Sequence, residues 1–219
     1  MAAVFVVGAG PGIGRSVARR FAGSGHPVGV LARSSPTVDA LLTDLSDGAV
    51  GVTADVADEA ALRAALDELV ARLGVPEVVV YNAGVIRTDT VTGLDAATLL
   101  HTYAVNVGGA VTTAAALLPA MADGDGGSYL MTAGMPHPLP QLTSLSLGKA
   151  GLRALAELLD AEFGPRGVRS ATVTVCGPVA PGTAYDPDDI AEHYARLHRL
   201  PAGAWPLDTR FGDPADAAG

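Results

Sequence analysis

An α/β fold with a doubly wound parallel sheet, about seven strands in a single domain, is what the sequence predicts, and three observations carry that expectation. Short apolar runs alternate with longer amphipathic segments along the chain, the order that right-handed βαβ units require. Hydrophobic residues make up 49% of the 219 and charged residues 17%, a balance that suits strands covered on both faces. The glycine- and asparagine-bearing motifs fall just after the apolar runs, where such a sheet binds its ligands.

Taken in order, residues 4–8 (VFVVG) form the first strand and 12–24 the first helix. Residues 27–32 (PVGVLA) are a strand. A helix over 36–45 follows, opened by Pro36 and capped by Ser34 or Ser35. Residues 50–54 are the third strand, and the strongly periodic 58–73 (DEAALRAALDELVARL) is a helix capped by Asp58. EVVVY at 77–81 is the fourth strand. A long helix is expected over 96–121, a strand at 128–131, a second long helix over 144–163 and a strand at 168–175 (VRSATVTV). A helix at 188–200 and a weaker extended piece at 205–211 complete the chain. No linker or repeat interrupts it, so residues 1–219 read as one domain, with a short substrate lid around 177–200.

A net charge of −9 and a pI near 4.8 argue against nucleic acid or an anionic membrane as partner. One cysteine, Cys176, rules out an internal disulfide framework and fits a reducing, cytoplasmic setting. The start, MAAVFVVGAGPG, is apolar but lacks a basic n-region, and it reads as a buried strand. No stretch is expected to reach the roughly 18 apolar residues of a membrane span.

The first strand runs into GAGPGIG, with Gly8, Gly12 and Gly14 in a G-x-x-x-G-x-G pattern. Such a turn lets the backbone approach a pyrophosphate and points a helix N-terminus at it, so the sheet is of Rossmann type. A cofactor with a free ribose 2′-hydroxyl usually meets an acid after the second strand. This chain offers Arg33 and Ser34 there, a guanidinium beside a hydroxyl, which suits a 2′-phosphate. NADP(H) is therefore favoured over NAD(H). The third strand ends in TADVAD, where Asp58 fits the capping role and leaves Asp55 for an adenine amino group.

Gly8-x-x-x-Gly12-x-Gly14, Asp55-Val56, Asn82-Ala83-Gly84, Asn106 within YAVNVGG and Lys149 on a long helix occur in this order. The set resembles the short-chain dehydrogenase/reductase family over roughly residues 3–175. The resemblance implies a nicotinamide cofactor touching Gly8, Gly12, Ile13, Gly14, Arg33, Ser34, Asp55, Val56, Asn82, Ala83, Gly84, Lys149 and Val179. It also implies a proton relay of serine, tyrosine, lysine and asparagine, and pairing of the two long helices across a two-fold into a homodimer or homotetramer. Asn106 and Lys149 match that relay. The tyrosine position, four before Lys149, holds Leu145. Counting back from Leu145 puts Thr132 at the serine position, whereas counting from the strand start gives Gly134.

A positioned general acid contributes about 10²- to 10⁴-fold, and leucine supplies none. Lys149 itself, directly or through water, His137 on the loop after the fifth strand, or Ser146 are the candidate proton sources. Tyr81, Tyr103 and Tyr185 read as packing or anchoring residues, and Asn82 as a brace between central strands. The catalytic set is thus Lys149, Asn106, Thr132 and His137, with no metal. Three functions compete: an oxidoreductase on a small-molecule carbonyl or alcohol, a non-redox isomerase, dehydratase or cyclase in the same pocket, and a nucleotide-binding protein without chemistry. The short segment after residue 175 predicts an open site that could admit a large substrate.

Overall fold

The computed structural model describes residues 1–45, 48–201 and 204–212. Along the chain come β1 (Ala3–Val7), α1 (Ile13–Ala22), β2 (Val28–Ala32), α2 (Ser35–Asp44), β3 (Val50–Thr53), α3 (Glu59–Leu73) and β4 (Pro76–Tyr81). Then come α4 (Ala96–Tyr103), α5 (Gly109–Asp123), β5 (Gly127–Thr132), α6 (Thr143–Phe163), β6 (Val168–Val175), α7 (Pro187–His198) and β7 (Asp208–Phe211). The seven strands make one sheet in the order β3-β2-β1-β4-β5-β6-β7, every pair parallel. The order reverses between β1 and β4, and a crevice opens at the carboxyl ends of strands at such a point.

Alternation along the central strands divides the interior in two. Phe5, Val7, Val79, Tyr81, Tyr129 and Met131 face one layer, with α3, α5 and α6. Val4, Val6, Val78, Val80 and Leu130 face the other, with α1 and α7. Both faces being covered, the strands carry near-continuous apolar runs. Asp58 caps α3 as expected, its carboxylate accepting from Ala61 N at 3.0 Å. Ser34 stands at the N-cap of α2, but its hydroxyl lies 2.8 Å from Thr37 Oγ1 and makes no bond to the backbone there.

Three expectations change. The long helix over 96–121 is broken by a π-helical turn at Ala104–Gly108. Side chains from the sheet donate to helix carbonyls here: Tyr81 to Val105 O at 2.5 Å and Tyr129 to Ala110 O at 2.7 Å. A Cβ on Gly109 would lie 2.4 Å from the Tyr81 hydroxyl, so only glycine admits that approach. The same helical stretch, Ala96–Asp123, is by length and composition alone long and apolar enough to cross a membrane, contrary to expectation. Its apolar character has another physical reason, since Val105, Ala110, Ala114, Leu117 and Leu118 pack into the core beside β4 and β5.

The third change concerns the expected lid. From Pro187 onward it is α7, whose Ile190, Ala191 and Tyr194 are buried beside α1. The weak extended piece at 205–211 becomes a true strand only at Asp208–Phe211. There the Thr172 and Thr174 hydroxyls both donate to Asp208 Oδ1, at 2.6 and 2.7 Å, and lock β7 to β6.

Candidate active site

At the β1–β4 crossover lies a groove of about 540 Å³. Its walls are the turn from Gly8 to Pro11, the β2 end from Leu31 to Ser34, Ala54 and Val56 after β3, and Asn82 to Val85 after β4. Gly8 takes φ +86°, and a Cβ there would fall 2.3 Å from Ala83 N. The two strand ends are thus in backbone contact, which a side chain would prevent. Gly12 is the N-cap of α1 and makes no side-chain capping bond, and a Cβ on it would meet nothing within 4 Å. The start of α1, with Ile13 and Gly14 in its first turn, therefore opens without a protein cap, as an anion site at a helix N-terminus requires.

Arg33 and Ser34 are exposed at the rim of this groove. Asp55 is also exposed, and its Oδ1 accepts from Ala57 N at 2.9 Å in a local turn. Asn82 braces the strands: its Nδ2 donates to Gly8 O at 2.9 Å and its Oδ1 accepts from Thr132 Oγ1 at 2.8 Å.

Lys149 and Asn106 meet at Gly84. A Cβ on Gly84 would lie 3.4 Å from Asn106 Oδ1 and 3.7 Å from Lys149 Nζ. Asn106, carried by the π turn, accepts from Val85 N at 2.7 Å, while its Nδ2 is buried with no hydrogen-bond partner among the described residues. A buried donor left over in this way is costly unless a ligand or water takes it. Lys149 is 7% exposed and donates to the Thr132 carbonyl at 2.6 Å. That carbonyl is neutral, so nothing cancels the charge. Burial, with the Arg153 cation adding to it, lowers the amine to about 8. A nicotinamide cofactor would fit these residues, since the uncapped helix start, the unpaired amide donor and the buried amine each want an acceptor oxygen.

Thr132 corrects one expectation. It ends β5 with its side chain on the α7 side of the sheet, where the hydroxyl donates to Asn82 and meets the Tyr194 hydroxyl at 2.7 Å. What it offers Lys149 is a carbonyl. The alternative serine position, Gly134, has φ +53° and faces open space. Leu145 is buried at 4% exposure. Ser146 serves the neighbouring loop, its Oγ accepting from Leu139 N at 3.0 Å. His137 is exposed on the loop between β5 and α6, and Val179 is exposed after β6. Tyr185 anchors the segment after β6 by donating to Gly212 O at 3.2 Å.

Asp89 was not singled out by the sequence. Its side chain is 2% exposed, and its carboxylate accepts from Ser144 N at 2.9 Å and Ser144 Oγ at 2.5 Å, with Arg87 Nε 3.3 Å away. The bonds from Ser144 hold the carboxyl below its ordinary range and outweigh the opposing effect of burial. Asp89 thereby caps α6 from a loop 55 positions earlier. Caps are read in sequence within one turn of the helix, so no local signal marked it.

A family model described as short chain dehydrogenase matches residues 2–188. An uncharacterized short-chain type dehydrogenase/reductase of Sinorhizobium fredii is 31% identical over 178 residues, covering 74% of this chain and 68% of the relative. D-threitol dehydrogenase of Mycolicibacterium smegmatis is 30% identical over 174 residues, covering 77% and 67%. Among solved structures, a metagenomic short-chain oxidoreductase in complex with NADP superposes with a TM-score of 0.86 at 24% identity, over 95% of this chain and 96% of that one. A short-chain dehydrogenase from Streptomyces avermitilis gives 0.88 at 23% identity, over 99% and 90%.

Proposed function

The chain belongs to the short-chain dehydrogenase family, and from that premise we propose that it binds NADP(H) in the β1–β4 groove and interconverts a carbonyl and an alcohol. The meeting of Lys149 and Asn106 at Gly84 carries this reading, because it sets a buried amine and an unused amide donor at the wall of the groove. When bound, the cofactor supplies or accepts a hydride. The glycine turn and the first turn of α1 receive the pyrophosphate. Arg33 and Ser34 pair with a 2′-phosphate, and Asp55 accepts from the adenine amino group. Val56, Ala83 and Gly84 wall the groove.

Lys149 donates to the ribose hydroxyls. It also stands in for the family's tyrosine, whose position holds Leu145. An amine lowered to about 8 is close enough to neutrality to give up a proton. Asn106 Nδ2 holds the water through which that proton reaches the substrate oxygen. The substrate is a small molecule, and the short segment after β6 leaves room for a large one. Titration with NADPH and NADH, followed by a carbonyl screen that tracks NADPH consumption, tests the reading. Failure to bind either cofactor removes the groove assignment. Binding without turnover across the screen removes the redox assignment.

One observation favours a second reading, a non-redox isomerase, dehydratase or cyclase on the same scaffold. Leu145 is apolar, and the Thr132 hydroxyl is turned to the far side of the sheet. Product formation that ignores the cofactor's redox state would establish it. In either case we take the working form to be a homodimer or homotetramer in the cytoplasm. Exposed Leu100 and Val111 on α4 and α5, and Leu147 and Leu158 on α6, support pairing of these helices between copies.

A further inference from the structure

We infer that Tyr194, on α7, is a positioning residue for the cofactor groove, acting through Thr132 and Asn82 on the carbonyl of Gly8. The inference rests on the nucleotide-site reading of that groove. Three hydrogen bonds connect the residues, and their directions are fixed by proton count. The Asn82 amide donates from Nδ2 to Gly8 O at 2.9 Å, so its Oδ1 must be the acceptor on the other side. Thr132 has one hydroxyl proton, and it goes to that Oδ1 at 2.8 Å. The 2.7 Å contact between Thr132 Oγ1 and the Tyr194 hydroxyl can therefore be made only by the tyrosine proton.

Every proton in this chain points toward the glycine turn. The Gly8 carbonyl at its end also accepts from Gly10 N at 2.9 Å, within the turn that forms the groove wall. Asn82 is pinned as well by its own backbone, N–H to Val7 O at 2.8 Å. Its side chain can rotate only if the Thr132 bond is released, and Thr132 is oriented by Tyr194. The phenol is fully buried, and burial raises its pKa, so it remains a donor across the working pH range. Helix α7 is thus wired through the sheet to the backbone that would meet the pyrophosphate.

Fluorescence titration with NADPH tests the wiring in folded protein, with the thermal midpoint of each variant recorded without NADPH. Tyr194→Phe is expected to weaken NADPH binding about three- to tenfold, the range of one buried hydrogen bond. Thr132→Val is expected to weaken it by a similar factor. The double variant should be no weaker than Thr132→Val alone, because both break one chain. Thr132→Ser, which keeps the hydroxyl, should recover most of the affinity lost in Thr132→Val.

A Kd for Tyr194→Phe indistinguishable from that of the unaltered protein overturns the inference, whatever the thermal midpoint does. Losses that multiply in the double variant also overturn it. Should Tyr194→Phe not fold, the two Thr132 variants decide, and equal affinities for valine and serine overturn the inference. Absence of NADPH binding by the unaltered protein overturns the groove reading together with this inference. Binding that the substitutions leave unchanged overturns this inference alone.

Discussion

Replacing Lys149 with methionine removes a charge that the fold holds at a cost, and the size of that cost depends on pH. The amine is 7% exposed, and burial with the Arg153 cation lowers it from 10.5 to about 8. Below pH 8 the amine is protonated in folded and unfolded chains alike, and the folded state carries the whole penalty. Between about pH 8 and 10.5 the folded chain has released the proton while the unfolded chain keeps it, so stability rises with pH. Above 10.5 the penalty is gone. The displacement, at about 1.4 kcal/mol for each tenfold change in proton affinity, amounts to roughly 3 kcal/mol. Methionine occupies a similar volume without charge. The lost bond to the Thr132 carbonyl subtracts about the same amount at every pH. Urea denaturation of both proteins at about pH 7 and pH 10 gives the comparison. The stability of Lys149→Met relative to the unaltered protein should fall by most of that roughly 3 kcal/mol as pH rises. A difference that stays constant or grows would refute the claim that Lys149 is a penalised buried cation.

Three further outcomes are expected. Arg33→Ala should weaken NADPH binding about tenfold or more and leave NADH nearly unchanged, since a charge-assisted bond to the 2′-phosphate is lost; equal losses for both would contradict the cofactor preference. Asp89→Ala should lower the thermal midpoint by several degrees, and Asp89→Asn by less, because the amide oxygen still accepts from Ser144. The stabilisation by Asp89 should persist above the ordinary carboxylate range and disappear as pH falls through its lowered pKa, as acid-side melting curves would show. Light scattering at micromolar concentration should give twice or four times the mass of one chain, and a monomer mass would rule out helix pairing between copies.

Local pattern made the strands, the glycine turn and the Asp58 cap legible, because each is set by residues within one turn or one pleat. The groove was legible for the same reason, since its walls are strand ends. What stayed hidden depends on partners far along the chain. The π turn lies where Tyr81 and Tyr129, on two strands, donate to carbonyls of one helical stretch. Asp89 finds its helix 55 residues later. Thr132 had the correct spacing to face the lysine, yet a strand alternates its side chains, and the position that ends β5 points at α7. Counting residues cannot decide that, whereas the pairing of β5 with β4 and β6 does.

The orientation of Thr132 also bears on how Lys149 can work. Had the threonine hydroxyl faced the amine, a proton could have passed between two side chains, and Leu145 would have cost only one link. With the hydroxyl on the other face, Lys149 is bound to a carbonyl, which can neither take its proton nor balance its charge. Burial without a counter-charge, with the Arg153 cation adding to it, is what brings the amine to about 8. A tyrosine beside the lysine would have offered a second proton source and, when ionised, a counter-charge that held the amine more tightly protonated. Under the proposed reading, leucine at position 145 therefore leaves the site one acid fewer and, through the same desolvated environment, makes the amine a more willing one. Under the proposed reading, the orphaned Asn106 Nδ2 then matters more than in a site with a full relay, because water held there bridges the amine to the substrate oxygen.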